Sequence, residues 1–161
     1  MKAKIEKKKE LEKLAFQLWQ KVRTDLGKRA IIFALEGPLG AGKTVFTKAL
    51  AQAAGIKEVV GSPTFVLHIQ YKIKNKKLKT EVGFEHIDCW RMEDPGELLQ
   101  LGFEKMIENK SVIVIEWGEK VRDKLSPPSR EASEGRGQLT SKSVNLVRLI
   151  WVKIEYGKTE M

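Results

Sequence analysis

The segment Gly37-Pro38-Leu39-Gly40-Ala41-Gly42-Lys43-Thr44 has the spacing G-x-x-x-x-G-K-[ST], and each residue type in it suits one task. Glycines let the backbone turn tightly and present successive N–H groups to phosphate oxygens. A helix that starts here directs its N-terminal dipole at the same anion. The Lys43 ammonium can reach β- and γ-phosphates, and the Thr44 hydroxyl suits a Mg²⁺ ligand. Gly37, Leu39, Gly40, Ala41, Gly42, Lys43, Thr44 and Val45 are therefore expected to line a nucleoside triphosphate. A glycine turn that merely joins a strand to a helix is the alternative, and the full set of defining residues argues against it.

A phosphate loop needs a carboxylate at the end of a neighbouring buried strand, to orient a metal or its bound water. Val112-Ile113-Val114-Ile115 is such a strand, and it ends in Glu116 and Trp117. A second acid, Asp88, closes the strand-like piece His86-Ile87-Asp88-Cys89-Trp90-Arg91. Beside the loop, Asp88 could polarise an attacking water or hold a metal's hydration shell. A structural Asp88 paired with Arg91 is the alternative on the pattern alone, and His86 by itself reads as structural.

The elements that must position these groups follow the same order. Leu11, Leu14, Ala15, Leu18, Val22 and Leu26 recur at three- and four-residue steps, which predicts an amphipathic helix ending near Gly27. Its other face is rich in Lys, either a solvated face or an anion-binding surface. Residues 30–35, Ala-Ile-Ile-Phe-Ala-Leu, predict a strand buried on both faces. Residues 44–54 predict the helix after the loop, closed by Gly55. Strands are expected over 64–71 and 82–90, joined by a turn carrying Lys72, Lys74, Lys76, Lys77 and Lys79. That turn reads as a charged hairpin tip or as a contact for RNA or an acidic partner. A helix is expected over 97–108, with Pro95 near its start, and a last strand over 149–156, where Ile150, Val152, Ile154 and Tyr156 share a face. Between them, nine of the eighteen residues 126–143 are Ser, Pro or Gly, so a flexible loop or insertion is expected there. Strand, glycine loop and helix in this order predict an α/β fold of three layers with a mostly parallel central sheet and an antiparallel hairpin portion.

Composition narrows the class. The 161 residues suit one domain, 1–161, and the net charge of +9 favours an anionic partner. The longest strictly apolar run, 30–35, is far short of the ~20 residues a membrane helix needs. The N-terminal residues are charged throughout, unlike a signal peptide. Cys89 is the single cysteine, which excludes an intrachain disulfide, and with His68 and His86 it cannot build a structural zinc site. A cytoplasmic protein without membrane or DNA partners is the expectation.

Four blocks resemble those of the small P-loop ATPases of the TsaE (YjeE) type, in the same order. They are Leu39-Gly40-Ala41-Gly42-Lys43-Thr44, Ser62-Pro63-Thr64-Phe65, His86-Ile87-Asp88-Cys89-Trp90-Arg91 and Ile115-Glu116-Trp117. Two departures are Trp90, where the family usually has Tyr, and Gly118, where Pro is common. The resemblance implies a P-loop NTPase fold and an ATPase using ATP and Mg²⁺. It would bind the TsaB–TsaD pair and support formation of N6-threonylcarbamoyladenosine at position 37 of ANN-decoding tRNAs, with tRNA met through the complex. It further implies that Lys43 and Thr44 bind phosphate and Mg²⁺, that Glu116 is the metal carboxylate and that Asp88 assists hydrolysis. Ser62 and Thr64 would belong to a loop near the γ-phosphate, with Trp117 packed beside the nucleotide. A small-molecule or nucleoside kinase shares the cradle, but the seven arginines are scattered rather than gathered in a lid. A nucleotide-dependent switch with negligible turnover would use the same residues. The guanine-reading Asn-Lys-x-Asp motif is absent from the sequence.

Overall fold

A computed structural model of the chain describes residues 2–74, 81–125, 147–155 and 159–160. The expected hairpin tip at Lys76, Lys77 and Lys79, the expected loop 126–143 and Tyr156 lie outside the described residues. The continuous apolar run becomes β1 (Ala30–Glu36), flanked in parallel by β4 (Val112–Glu116) and β5 (Val147–Ile154). A strand with parallel neighbours on both sides and helices above and below has no polar face. Residues 30–35 are accordingly all buried. β3 (Glu81–Asp88) lies parallel to β4 on its far side, and β2 (His68–Lys74) pairs with β3 antiparallel at the edge. The sheet order is β2-β3-β4-β1-β5-β6, where β6 (Thr159–Glu160) is a two-residue antiparallel addition to β5.

Helices cover both faces, giving three layers. On one side α1 (Lys2–Val22) and α2 (Lys43–Ala53) pack Leu11, Leu18, Phe46 and Leu50 onto Phe33, Leu35, Val114 and Val152. On the other, α3 (Glu97–Gln100), α4 (Phe103–Glu108) and α5 (Arg122–Leu125) bring Leu98, Phe103, Met106 and Leu125 against Ile32, Ile87, Ile113 and Ile115. Each fully buried Phe or Leu contributes roughly 1.5–3 kcal/mol to this packing.

Several expected boundaries shift, each for a local reason. The chain leaves α1 through a 3₁₀ turn (Arg23–Asp25) before Gly27, which has φ +73°. Residues 64–67 do not join β2. The Val66 and Leu67 amides both donate to the Pro63 carbonyl, closing a turn, and Leu67 sits at φ +63°. β3 stops at Asp88, because the Trp90 N–H turns back to donate to Asp88 Oδ1 at 2.9 Å. The helix expected over 97–108 breaks into α3 and α4 at Gly102, whose φ of +79° leaves the right-handed helical region. In β5 the side chains of both faces are used. Val152 and Ile154 join the α1/α2 side, while Leu149 and Trp151 pack on the other.

β5 also fixes the start of the glycine loop. Gly37 has φ +147°, and a Cβ there would lie 2.1 Å from the Ile154 carbonyl oxygen, a backbone atom that cannot swing aside. Gly37→Ala is therefore expected to cost at least about 2 kcal/mol, read as a lower urea midpoint at unchanged slope. Gly55→Ala, at φ +87° with open space around it, should cost clearly less. Equal losses in the two variants would contradict the close approach.

Candidate functional site

All the parallel strands point their carboxyl ends the same way, and the candidate residues collect there. The register sets Leu35 of β1 opposite Glu116 of β4, and Glu116 opposite Asp88 of β3. The loop after β1 thus opens beside the two acids, where open α/β sheets hold their ligands.

The loop carries its conformation in its glycines. Gly40 and Gly42 have φ of +75° and +112°, and Gly42 stands immediately before α2. The first-turn amides of α2 have no acceptor within the helix, so they face the cleft as donors for an anion. Lys43 is only 5% exposed and folds back over the loop. Its Nζ donates to the carbonyls of Gly37 at 2.6 Å and Pro38 at 2.9 Å, and lies 3.6 Å from the centroid of the Trp117 ring. Burial lowers the Lys43 pKa below the ordinary lysine value. The negative charges of Glu116, Glu119 and Asp88 oppose that shift.

The acids are held by donors. Glu116 Oε2 accepts from Thr44 Oγ1 at 2.8 Å, and Oε1 lies 2.8 Å from His86 Nε2. Thr47 Oγ1 donates to the Lys43 carbonyl at 3.1 Å and reaches Glu116 Oε1 only at 3.5 Å. Asp88 Oδ2 accepts from Thr64 Oγ1 at 2.7 Å, and Thr64 is 2.7 Å from Ser62 Oγ. The turn at 63–67 is what brings Thr64 to Asp88. Arg91, the open partner for Asp88, stacks instead on the Phe65 ring at 4.7 Å.

Together these groups line a cleft of about 370 Å³, in the size range of small-ligand sites. Leu39, Gly40, Gly42, Lys43, Thr44, Val45, Ser62, Thr64, Asp88, Glu116 and Trp117 all border it. Two of the expected residues do not. Gly37 sits behind the cleft against β5, and Ala41, 1% exposed, turns its methyl into the core. Thr44 and Glu116 place a hydroxyl and a carboxylate oxygen side by side, hard donors of the kind Mg²⁺ takes, and the α2 amides and Lys43 supply the matching anion sites. Burial pushes the thiol of Cys89, beside Asp88, up to about 12.

Four contributors escaped sequence reasoning. Trp90 stacks on Trp117, with ring centroids 4.5 Å apart, and lines the same cleft. His86 and Thr47 reach Glu116; their signals were the two-residue step from Asp88 on one strand face and the three-residue step from Thr44 on one helix face. Glu119 follows in the 3₁₀ turn Gly118–Val121. Burial pushes its carboxyl up, as does the nearby charge of Glu36, against backbone N–H groups of Glu119 and Gly37 and the Lys43 ammonium. No spacing rule pointed to it.

Comparison with known proteins gives the same frame. Residues 5–144 match the family model described as "Threonylcarbamoyl adenosine biosynthesis protein TsaE". Proteins named tRNA threonylcarbamoyladenosine biosynthesis protein TsaE are similar to this chain in several bacteria. The Bacillus subtilis protein is 34% identical over 105 residues, 65% of this chain and 61% of that protein. The Haemophilus influenzae protein is 38% identical over 92 residues, 57% of this chain and 54% of that protein. The Rickettsia conorii protein is 34% identical over 130 residues, 80% of this chain and 67% of that protein. The match thus spans less than two thirds of the length of the first two relatives. The crystal structure of YdiB from Bacillus subtilis is similar in fold, with a TM-score of 0.51 at 24% identity, over 91% of this chain and 71% of that one.

Lys43→Ala removes the buried cation that faces the loop carbonyls. Triphosphate binding should weaken roughly 10- to 100-fold, the worth of a charge-assisted contact. Titration calorimetry with ATP reads this directly, and wild-type affinity in the variant would remove Lys43 from the phosphate site.

Proposed function

The chain belongs to the TsaE family, and on that premise we propose that it is a Mg²⁺-dependent ATPase that binds the TsaB–TsaD pair. In this reading it supports formation of N6-threonylcarbamoyladenosine on tRNA, and meets tRNA through that complex. The supporting observation is the convergence of Lys43, Thr44 and Glu116 at the carboxyl ends of two adjacent parallel strands. Among the described residues no helix is long and apolar enough to cross a membrane, which is compatible with a cytoplasmic role.

Each residue has a part in that reading. Lys43 leaves the Gly37 and Pro38 carbonyls for the β- and γ-phosphate oxygens, and the first-turn amides of α2 bind the same phosphates. Thr44 and Glu116 are the residues that would hold Mg²⁺, directly or through its waters. Held there, the ion would supply charge neutralisation for the phosphates. Asp88, steadied by Thr64 and the Trp90 amide, orients the attacking water and takes up its proton, while Ser62 extends the same hydroxyl chain toward the cleft. Trp117 and Trp90 shield one wall from solvent.

Phosphate release from ATP by the purified chain, alone and with TsaB and TsaD, tests the reading. Slow turnover that rises with the pair supports it. Transfer of phosphate to an added small acceptor instead would establish a kinase, and tight binding without turnover in either mixture would leave a switch. Glu116→Gln should retain metal-free ATP binding, because the amide oxygen still accepts from Thr44, yet lose the Mg²⁺-dependent gain in affinity and about 100-fold or more in turnover. An unchanged rate would take Glu116 out of the reaction.

A further inference from the structure

We propose that His86 is a positioning residue for this site: it holds Oε1 of Glu116 from the core side, leaving Oε2 to work in the cleft. This rests on the reading of Glu116 as the metal carboxylate. The geometry divides the two oxygens cleanly. Oε2 meets Thr44 at the phosphate loop, and Oε1 points inward to His86 Nε2 at 2.8 Å. Glu116 is 3% exposed and His86 fully buried, so neither group can turn to water for a replacement partner.

The other candidate donor to Oε1 is Thr47, and at 3.5 Å, with its hydroxyl donating to the Lys43 carbonyl at 3.1 Å, it is a poor one. Thr44, moreover, is the residue expected to turn to the metal. When it does, Oε2 loses its donor, and His86 is the close side-chain donor left to fix the rotamer of a flexible carboxylate. A partner behind a ligand commonly governs the ligand's orientation in this way.

The second ring nitrogen agrees. Among the described residues, His86 Nδ1 has no hydrogen-bond partner and is buried. β3 places the ring between Ile69 of β2 and Val114 of β4, with Phe84 and Asp88 as its neighbours on the same strand face. A proton on Nδ1 would be a buried donor without an acceptor, so the ring carries its proton on Nε2 and donates it to Glu116. A core histidine kept only to fill space would need no such polarity toward one carboxylate oxygen.

The test compares His86→Gln, which restores an N–H close to the Nε2 position, with His86→Leu, which fills the core without a donor. Affinity for a non-hydrolysable ATP analogue is measured with and without Mg²⁺, together with turnover and melting temperature. His86→Leu is expected to lose roughly 10- to 100-fold of the Mg²⁺-dependent gain in affinity and of kcat, while metal-free affinity stays the same. His86→Gln should recover most of both losses. If the two variants instead lose metal-free and Mg²⁺-dependent affinity alike, in step with their melting temperatures, His86 is packing alone and the proposal fails. The Mg²⁺ linkage of analogue binding is readable whether or not the protein hydrolyses ATP, so failure of the ATPase reading remains distinguishable. Should His86→Leu not fold, nitrogen-15 NMR of the wild-type imidazole decides. A proton on Nε2 supports the proposal, and one on Nδ1 overturns it.

Discussion

A carboxylate buried at the end of a central strand is the interaction on which the site depends. Glu116, between Leu35 and Asp88 across the sheet, ties its strand to two further elements: α2 through Thr44 and β3 through His86. An acid this deep is tolerable only when both oxygens find donors. Those donors must therefore arrive together, which requires β1, β3 and β4 to be in register and α2 to begin one loop after β1. The sheet topology does this by placing β4 directly between β1 and β3.

Around that acid the molecule keeps features that favour a ligand over stability. Lys43 is nearly buried and satisfied by two loop carbonyls, contacts that an arriving phosphate can replace. Trp117 holds φ +60° and ψ +42°, an uncommon conformation for a bulky residue that costs of order 1–3 kcal/mol and sets its ring over the Lys43 ammonium. Gly118 follows, and a Cβ there would come 3.0 Å from the Ala34 Cβ, a tight approach that a small shift of the neighbour would have to relieve. The strained backbone of Trp117 and the buried charges of Lys43, Asp88 and Glu116 lie together at the strand ends.

Much of this was legible because it is local. The residues of β1, the glycine loop, α2 and β4 announce themselves through continuous apolar runs and fixed spacings, and their order implies the parallel frame. What escaped is non-local or conformational. Thr64, Phe65, Val66 and Leu67 have strand-like side chains, but tertiary contact with Asp88 holds them in a turn. Gly102 interrupts an otherwise helical pattern, and only its backbone angle shows that the helix stops. The bond between His86 and Glu116 joins strands 30 residues apart, and no spacing within either segment encodes it. The family resemblance named the site residues, and the register explains why they meet.

The central claim is that the strand-end cleft binds a magnesium nucleoside triphosphate in the folded chain. Thermal unfolding with and without MgATP tests it most directly, because a ligand that binds only the folded state raises stability by mass action. At a concentration about 100 times Kd the gain is about 2.7 kcal/mol. For a domain of this size that corresponds to a rise in Tm of roughly 5–10 °C. The account predicts such a rise with ATP and Mg²⁺ present and little with AMP, which lacks the β- and γ-phosphates. A melting temperature indifferent to ATP at millimolar concentration would contradict it.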